Sequence, residues 1–296
     1  GLPRLPSGRR RATDRAAQPM KSVVAPPETL TTCLRIVCAN GTTVRLTDYP
    51  YDLTMSNGQV YKTDAGYSPS SLSEVSTLAP SAFDLEGIVG NGGVTRDQIA
   101  GGIMDGAEMF LFRVDYLNPV EDYEECGRGW LGKTELVDEK YKIEMMSLSD
   151  ALNEGVSVTC TPLCRHDLGS QGYAECGLSL ASLTVTGTLT HVTSASVIRD
   201  SSRGEASDWF GAGTFRMTSG PNVGMRSIEI KAYASDGTIT LQGPLYFSPA
   251  PGDMYEMIAG CRKRRTEDCK NKFNNVLNHG GFPDLPPSSA YQSTAG

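Results

Sequence analysis

The cysteines of this chain are grouped, and their grouping restricts the fold more than any other feature of the sequence. Cys160, Cys164 and Cys176 lie in the segment CTPLCRHDLGSQGYAEC, and Cys261 and Cys269 bound the segment CRKRRTEDC. If thiols from both groups meet at one centre, the 84 residues between Cys176 and Cys261 form an excursion that leaves this centre and returns to it. The two ends of that excursion must then lie side by side.

Three interpretations of these cysteines stay open on spacing alone: a metal or cluster site, unligated core thiols, and disulfides. The intervals match neither a zinc ribbon nor a ferredoxin segment. Eight cysteines in 296 residues are too few for a disulfide scaffold. The start of the sequence shows no apolar secretory region, which favours metal ligands over disulfides.

Basic residues follow both cysteine groups directly. Arg165 and His166 come after Cys164, and four cations, Arg262 to Arg265, come after Cys261. Nearby cations favour the thiolate, which is the form that binds metal, and they can compensate the charge of a buried thiolate group. The alternative interpretation of the four-cation segment is a solvated loop.

The rest of the pattern predicts a mainly β chain, of the β-rich α+β kind. Two hairpins are expected at Asn40-Gly41 and Asn57-Gly58, and a long strand is expected within 107–117. We expect one helical turn in TRDQIAGGIMDGA, and a strand from Tyr141 that passes into a short helix ending at Gly155. Thr/Val-rich segments separated by turn residues predict a small β-barrel or sandwich over 181–257.

These patterns suggest a division of the chain. We expect a basic, Pro-rich N-terminal arm over 1–28, a β-rich domain over 29–155, a cysteine-bearing domain over 156–286 that contains the β unit 181–257, and a tail over 287–296.

Charge and hydropathy exclude several classes of protein. The net charge is −7 and the pI is near 5.1, which argues against a dedicated nucleic-acid binder. No segment approaches ~20 consecutive apolar residues, so no transmembrane helix is expected. The sequence has no HExxH, P-loop or GxSxG motif, and its three histidines offer little for acid–base catalysis.

Several motifs in sequence order resemble the tail-tip hub proteins of long-tailed phages, a family that includes the lambda-like tail-tip proteins and the hubs of gene transfer agents. In the N-terminal half they are LTDYPYDLTMSNGQVYKTDAGYSPSSLSE, GNGGVTRDQIAGGIMDGAEMFLFRVDYLNP and RGWLGKTEL. In the C-terminal half they are CRHDLG, CGLSL, the two last cysteines and KFNNVLNHGGFP. The resemblance covers residues 31 to 286.

The resemblance implies a non-enzymatic virion protein, made in the bacterial host cytoplasm and assembled at the phage tail tip. It implies a homotrimeric ring that joins the tail tube and distal tail protein to the central fibre, with an N-terminal β hub domain and a C-terminal cysteine-cluster domain. An acidic subunit also suits a channel through which phage DNA passes without binding, because like charges repel. No stable membrane insertion is implied.

The resemblance further implies a structural iron–sulfur cluster, most simply 4Fe–4S, held by Cys164, Cys176, Cys261 and Cys269. Cys160 is an alternative first ligand. Residues expected around the ligands are Arg165, His166, Arg262, Lys263, Asn271 and Asn274. The alternatives of another class are a zinc-stabilised adaptor and a redox or metal-dependent enzyme that uses the same cysteines.

Overall fold

A computed structural model describes residues 27–63, 68–69, 83–90, 93–147, 160–173 and 175–285. The chain divides into two compact units, residues 1–154 and 155–296. The arm up to residue 26, the tail from 286 and the expected helix ending at Gly155 lie outside the described residues. No helix in the described ranges is long and apolar enough to cross a membrane.

The first unit contains one sheet of nine strands, in the order β3-β4-β2-β1-β7-β8-β9-β6-β5. All neighbours are antiparallel except β2 and β4. The strands are β1 (Leu30–Val37), β2 (Thr43–Thr47), β3 (Leu53–Thr54), β4 (Val60–Thr63), β5 (Ser68–Pro69), β6 (Phe83–Ile88), β7 (Glu108–Asp115), β8 (Glu124–Val137) and β9 (Lys140–Ser147).

The two predicted hairpins are confirmed. β1 pairs with β2 and β3 pairs with β4, in each case antiparallel across an Asn-Gly turn. Gly41 and Gly58 have φ values of 88° and 81°, a region where a side chain is strained and glycine is not. The strand expected within 107–117 is β7.

The expected helical turn is also present, as α1 (Arg96–Ala100). Its N-cap Thr95 forms a capping box with Gln98, in which each side chain bonds to the backbone of the other residue. The glycines that follow end the helix, and Gly102 has a φ of 69°.

Both faces of the first sheet are covered by apolar side chains. On β1, Leu34 and Ile36 belong to a cluster with Met109 and Leu111, whereas Cys33 belongs to a second cluster with Phe112. Successive residues of a strand point to opposite faces, so a strand with buried residues at consecutive positions must pack on both sides. The central strand β1 therefore anchors the unit.

The second unit begins, within its described part, with the cysteine segment and α2 (Leu180–Leu183), followed by seven strands. Their order in the sheet is β10-β16-β13-β14-β15-β12-β11, and all pairs are antiparallel. The strands are β10 (Thr184–Thr188), β11 (His191–Ser194), β12 (Val197–Arg199), β13 (Thr214–Met217), β14 (Ile228–Tyr233), β15 (Thr238–Leu241) and β16 (Met254–Ile258).

This second sheet is curled in the manner of a barrel. Its first and last strands, β10 and β11, are consecutive in the chain and are linked by two residues, so the sheet must bend back toward its own start. One core lies inside it, with Phe210, Phe215, Tyr255 and Met257 fully buried. The expected mainly β fold class is confirmed in both units.

The cysteine part of the second unit resumes after β16. It contains a π-helix (Arg265–Lys272) and a 3-10 helix (Val276–Asn278). A further 3-10 helix (Pro27–Thr29) precedes β1 in the first unit.

Candidate metal centre

Antiparallel pairing of β10 with β16 brings the two cysteine groups together. Thr184 at the start of β10 lies opposite Ile258 at the end of β16, and the Ala259 N–H donates to the Leu183 carbonyl at 2.9 Å. The chain therefore enters and leaves the sheet at one place. Cys176 precedes that place by a few residues, and Cys261 follows it.

Backbone hydrogen bonds then fix the first cysteine segment to the last. The Cys164 N–H donates to the Lys263 carbonyl at 2.8 Å, and the Gly280 N–H donates to the Cys164 Sγ at 3.3 Å. The Lys263 N–H donates to the Cys261 thiol. Lys263 has a φ of 66°, which turns the chain sharply between the cation segment and the π-helix.

The four cysteines Cys164, Cys176, Cys261 and Cys269 lie within one another's electrostatic field. Burial, together with the charges of Cys164, Cys261 and Cys176, raises the pKa of the Cys269 thiol to about 12. Burial also raises the pKa of the Cys261 thiol, and the negative charges of Asp268 and Cys164 act in the same direction. The thiolate forms of Cys261 and Cys269 are therefore disfavoured unless a nearby cation compensates their charge.

The donor set fits a cluster of several iron ions. Four thiolates, with N–H groups directed at their sulfurs, are the donors that iron–sulfur clusters use. Within the described ranges, no three His, Cys, Asp or Glu side chains are placed to hold a metal ion.

Cys160 differs from these four residues. It is exposed, four positions before Cys164 in the chain. All eight cysteines lie in the described part, and none of them forms a disulfide.

Of the residues expected around the four cysteines, some contact the cysteine segments and others are exposed. His166 is anchored by Nδ1, which lies 3.2 Å from the Asn278 carbonyl, and the Lys263 ammonium donates to the His166 carbonyl. Arg165 is exposed. Asn271 is exposed at a surface cavity, and Asn274 has a φ of 49° and donates its N–H to the Lys270 carbonyl.

The amides that reach a cysteine are those of Asn275 and Asn278. Asn275 Nδ2 donates to the Cys176 carbonyl at 2.7 Å and lies 3.9 Å from the Cys176 Sγ. Asn278 Nδ2 donates to the same carbonyl at 3.3 Å and to Asn275 Oδ1 at 2.8 Å. Because the Asn275 N–H also bonds to the Cys269 carbonyl, Asn275 joins cysteines from both groups.

The four-cation segment is neither a solvated loop without partners nor a source of charge for the thiols alone. Each of its cations pairs with a carboxylate: Arg262 with Asp208, Lys263 with Asp167, Arg264 with Glu267 and Asp268, and Arg265 with Asp284. The segment is thus held by ion pairs, and its charge is shared with carboxylates as well as with the thiols.

Lys272 fastens the π-helix to the barrel. Its Nζ donates to the carbonyls of Trp209 and Gly260 at 2.5 and 2.6 Å and lies 5.1 Å from the centre of the Trp209 ring. Burial lowers the pKa of Lys272. Lys272 stands three residues after Cys269, so its contacts join the barrel to the segment that carries the last cysteine.

Replacing Lys272 with methionine should lower the unfolding free energy of the second unit by about 2 kcal/mol, because two carbonyls lose a charged donor. Trp209 fluorescence during denaturant unfolding measures this. Lys270→Met is the matched control, since Lys270 is exposed on the same helix. Equal effects of the two substitutions would contradict the role given to Lys272.

The Gly280-Gly281 pair lets the last segment approach the first cysteine segment closely. A Cβ at Gly281 would lie 2.6 Å from the Pro162 carbonyl oxygen and 2.7 Å from that of Leu163. The Phe282 N–H donates to the Thr161 carbonyl at 2.8 Å, which closes this contact.

The Gly281→Ala substitution should destabilise the second unit by about 1–3 kcal/mol, because backbone atoms would have to separate. Gly243→Ala is the control, since a Cβ there meets nothing within 4 Å. Thermal unfolding of both variants provides the comparison, and an unchanged melting temperature for Gly281→Ala would show that the close approach is absent.

Comparisons with known proteins agree with this architecture. Residues 18–197 match the family described as baseplate hub protein, N-terminal attachment domain, and residues 208–289 match one described as phage conserved hypothetical protein BR0599. No curated protein matches the chain.

A solved structure has the same fold. It is a chain of the "Virion of native gene transfer agent (GTA) particle", with a TM-score of 0.73 and 23% identity over 89% of this chain and 90% of that one.

The fold and these matches define a structural protein of the phage tail type. The match over 18–197 spans more than half of the chain, so the chain belongs to the baseplate hub family. As a baseplate hub protein, it is a component of a phage tail tip and associates there with other tail proteins.

Proposed function

We propose that this protein is a non-enzymatic hub that joins the tail tube and distal tail protein to the central fibre, as a homotrimer whose second unit is held together by a structural 4Fe–4S cluster. The grouping of Cys164, Cys176, Cys261 and Cys269 is the observation that carries the cluster. Family membership supports the hub role.

The cluster would supply positive charge to four thiolates and would join the two chain segments that flank the barrel. Cys164 and Cys176 of the first group and Cys261 and Cys269 of the second would hold it. The N–H groups of Gly280 and Lys263 stabilise two of the thiolates and orient them. Structural metal sites can contribute on the order of 10 kcal/mol to folding, which suits a closed mechanical role.

Two observations favour this function over a catalytic one. The cysteines are bound to the barrel by Lys272 and the Arg262–Asp208 pair, which restrict movement. The amides around Cys176 are engaged with each other and with backbone, so they stabilise a closed shell.

Metal analysis of particles purified without oxygen tests the proposal. We expect iron and acid-labile sulfide in equal amounts, about four of each per subunit by the cluster type, with broad visible absorbance. Stoichiometric zinc in colourless protein would contradict the cluster and favour a zinc-stabilised adaptor. Visible absorbance that changes with turnover of a substrate would contradict a purely mechanical role.

A further inference from the structure

The first unit carries an exposed aromatic surface beside the start of β1. Tyr49 stacks on Tyr116 with ring centroids 4.9 Å apart, and Tyr51 meets Tyr49 edge-on at 6.1 Å. Tyr51 is 72% exposed, and the adjacent Leu117 is 73% exposed. We name these four residues the tyrosine platform.

Carboxylates flank the platform residues in the sequence. The segments DYPYD, 48–52, and DYLNPVEDYEE, 115–125, contain seven carboxylates and no cation. Arg35 pairs with two of them, Glu121 and Asp122, and Lys62 pairs with Asp52. Asp48 and Asp115 instead accept hydrogen bonds from neutral groups, the backbone N–H groups of residues 32 and 117 among them. The surface therefore combines one exposed ring, Tyr51, and two half-buried rings, Tyr49 and Tyr116, with negative charge.

The described chain begins at the edge of this platform. In the 3-10 helix Pro27–Thr29, the Thr29 carbonyl accepts the Tyr116 N–H at 3.0 Å. The residues before this helix carry six cations and one anion, although the whole chain has a net charge of −7. Those cations are Arg4, Arg9, Arg10, Arg11, Arg15 and Lys21.

The chemistry of residues 1–26 complements the platform. A guanidinium stacks on a tyrosine face and pairs with carboxylates at the same time. The prolines and leucines of GLPRLPSGRRR offer apolar contacts for Tyr51 and Leu117. Twelve extended residues span roughly 40 Å, so Arg15 can return to the platform from the 3-10 helix.

We infer that the part of the N-terminal arm before the 3-10 helix, residues 1–26, docks on the tyrosine platform of its own chain. The tether makes this docking intramolecular, with an effective concentration in the millimolar range for a short linker, ~1 mM. Charge attraction then favours the bound arm at low salt, and screening weakens it as salt rises. Residues 1–26 and the tyrosine platform both belong to the first unit, so this docking does not depend on the proposed cluster of the second unit.

Photo-crosslinking of the full chain tests this inference, with benzoylphenylalanine in place of Leu5. In an equal mixture of unlabelled and ¹⁵N-labelled protein, we expect crosslinks within one chain to 47–54 and 115–118. The Tyr51→Ser/Leu117→Ser variant should reduce them about tenfold, as should high salt. Tyr173→Ser, at a fully exposed residue of the second unit, should leave them unchanged.

A second variant, on the arm itself, keeps the test independent of the folding of the platform. Arg9→Ser/Arg10→Ser/Arg11→Ser should also reduce the crosslinks, and amide exchange at residues 116 and 117 should accelerate about tenfold by loss of the docked arm. Crosslinks that join light and heavy chains only, or that spread over the surface regardless of these substitutions, would overturn the inference.

Discussion

The Cys269→Ser protein should lose the folded second unit, because the substitution removes one of the four ligands of the proposed cluster. Cys269 is buried, and its thiol is influenced by all three other ligands. A structural metal site is worth on the order of 10 kcal/mol, comparable with the whole ~5–15 kcal/mol stability of a domain. Iron content should fall from about four ions per subunit to below about one ion per subunit.

The chain provides its own controls for this experiment. Cys160→Ser makes the same chemical change at an exposed cysteine a few residues before Cys164, and it should keep both iron and stability. The fluorescence of the two tryptophans reports the unfolding of each unit separately, because Trp130 lies in the first unit and Trp209 in the second. Loss of iron in Cys160→Ser with retention in Cys164→Ser would replace Cys164 by Cys160 in the ligand set.

The Glu121→Leu substitution should destabilise the first unit by about 3 kcal/mol, because it breaks a largely buried charge network. Glu121 accepts hydrogen bonds from Tyr61 at 2.5 Å and Asn57 at 2.6 Å, and it pairs with Arg35 at 3.1 Å. Arg45 lies 3.9 Å away, with its Nε buried. Denaturant unfolding followed by Trp130 measures the loss.

The pH dependence of this network has a definite sign. Burial alone raises the pKa of Glu121, but the hydrogen bond from Tyr61 and the charge of Arg35 outweigh it and hold the pKa below its ordinary value of 4.5. The stabilisation is therefore complete above the unfolded pKa and is lost as the pH falls through the folded pKa.

The advantage of the native chain over Glu121→Leu should accordingly shrink below about pH 4.5, the unfolded value. Glu125→Leu is the control, since Glu125 is exposed on the neighbouring strand. A stability difference that stays constant across this pH range would show that Glu121 acts by packing and not by charge.

Local patterns allowed the strands to be predicted. Asn-Gly turns require positive φ, so both hairpins of the first unit were fixed by two residues each. The meeting of the two cysteine groups follows from one long-range pair, Thr184 with Ile258, which no local pattern contains. The spacing of the cysteines left this meeting open, and it was expected because of the resemblance to the tail-tip hub proteins.

The surroundings of the cysteines were harder to predict. Asn271 and Asn274 were expected near the ligands, but the amides that reach Cys176 belong to Asn275 and Asn278. The π-helix and the positive φ of Asn274 set this register. An asparagine just after a helix is a known signal of such a left-handed end, and it was available in the sequence.

Some contacts of the cation segment and of the π-helix after it could be predicted from sequence spacing, and others could not. Arg264 pairs with Glu267 and Asp268 at helical spacing, which sequence can indicate. Arg262 with Asp208, and Lys272 with the carbonyls of Trp209 and Gly260, join positions that only the folded barrel brings together. The contacts that hold the barrel against the cysteine segment therefore could not be predicted from the sequence.

Density of the assembled tail tip at near-atomic resolution tests the central claim most directly. We predict one compact, strongly scattering core bonded to the sulfurs of Cys164, Cys176, Cys261 and Cys269. Sulfurs that lie apart with only protein between them, or that are joined pairwise as cystines, would contradict the cluster and the account of how it holds the barrel.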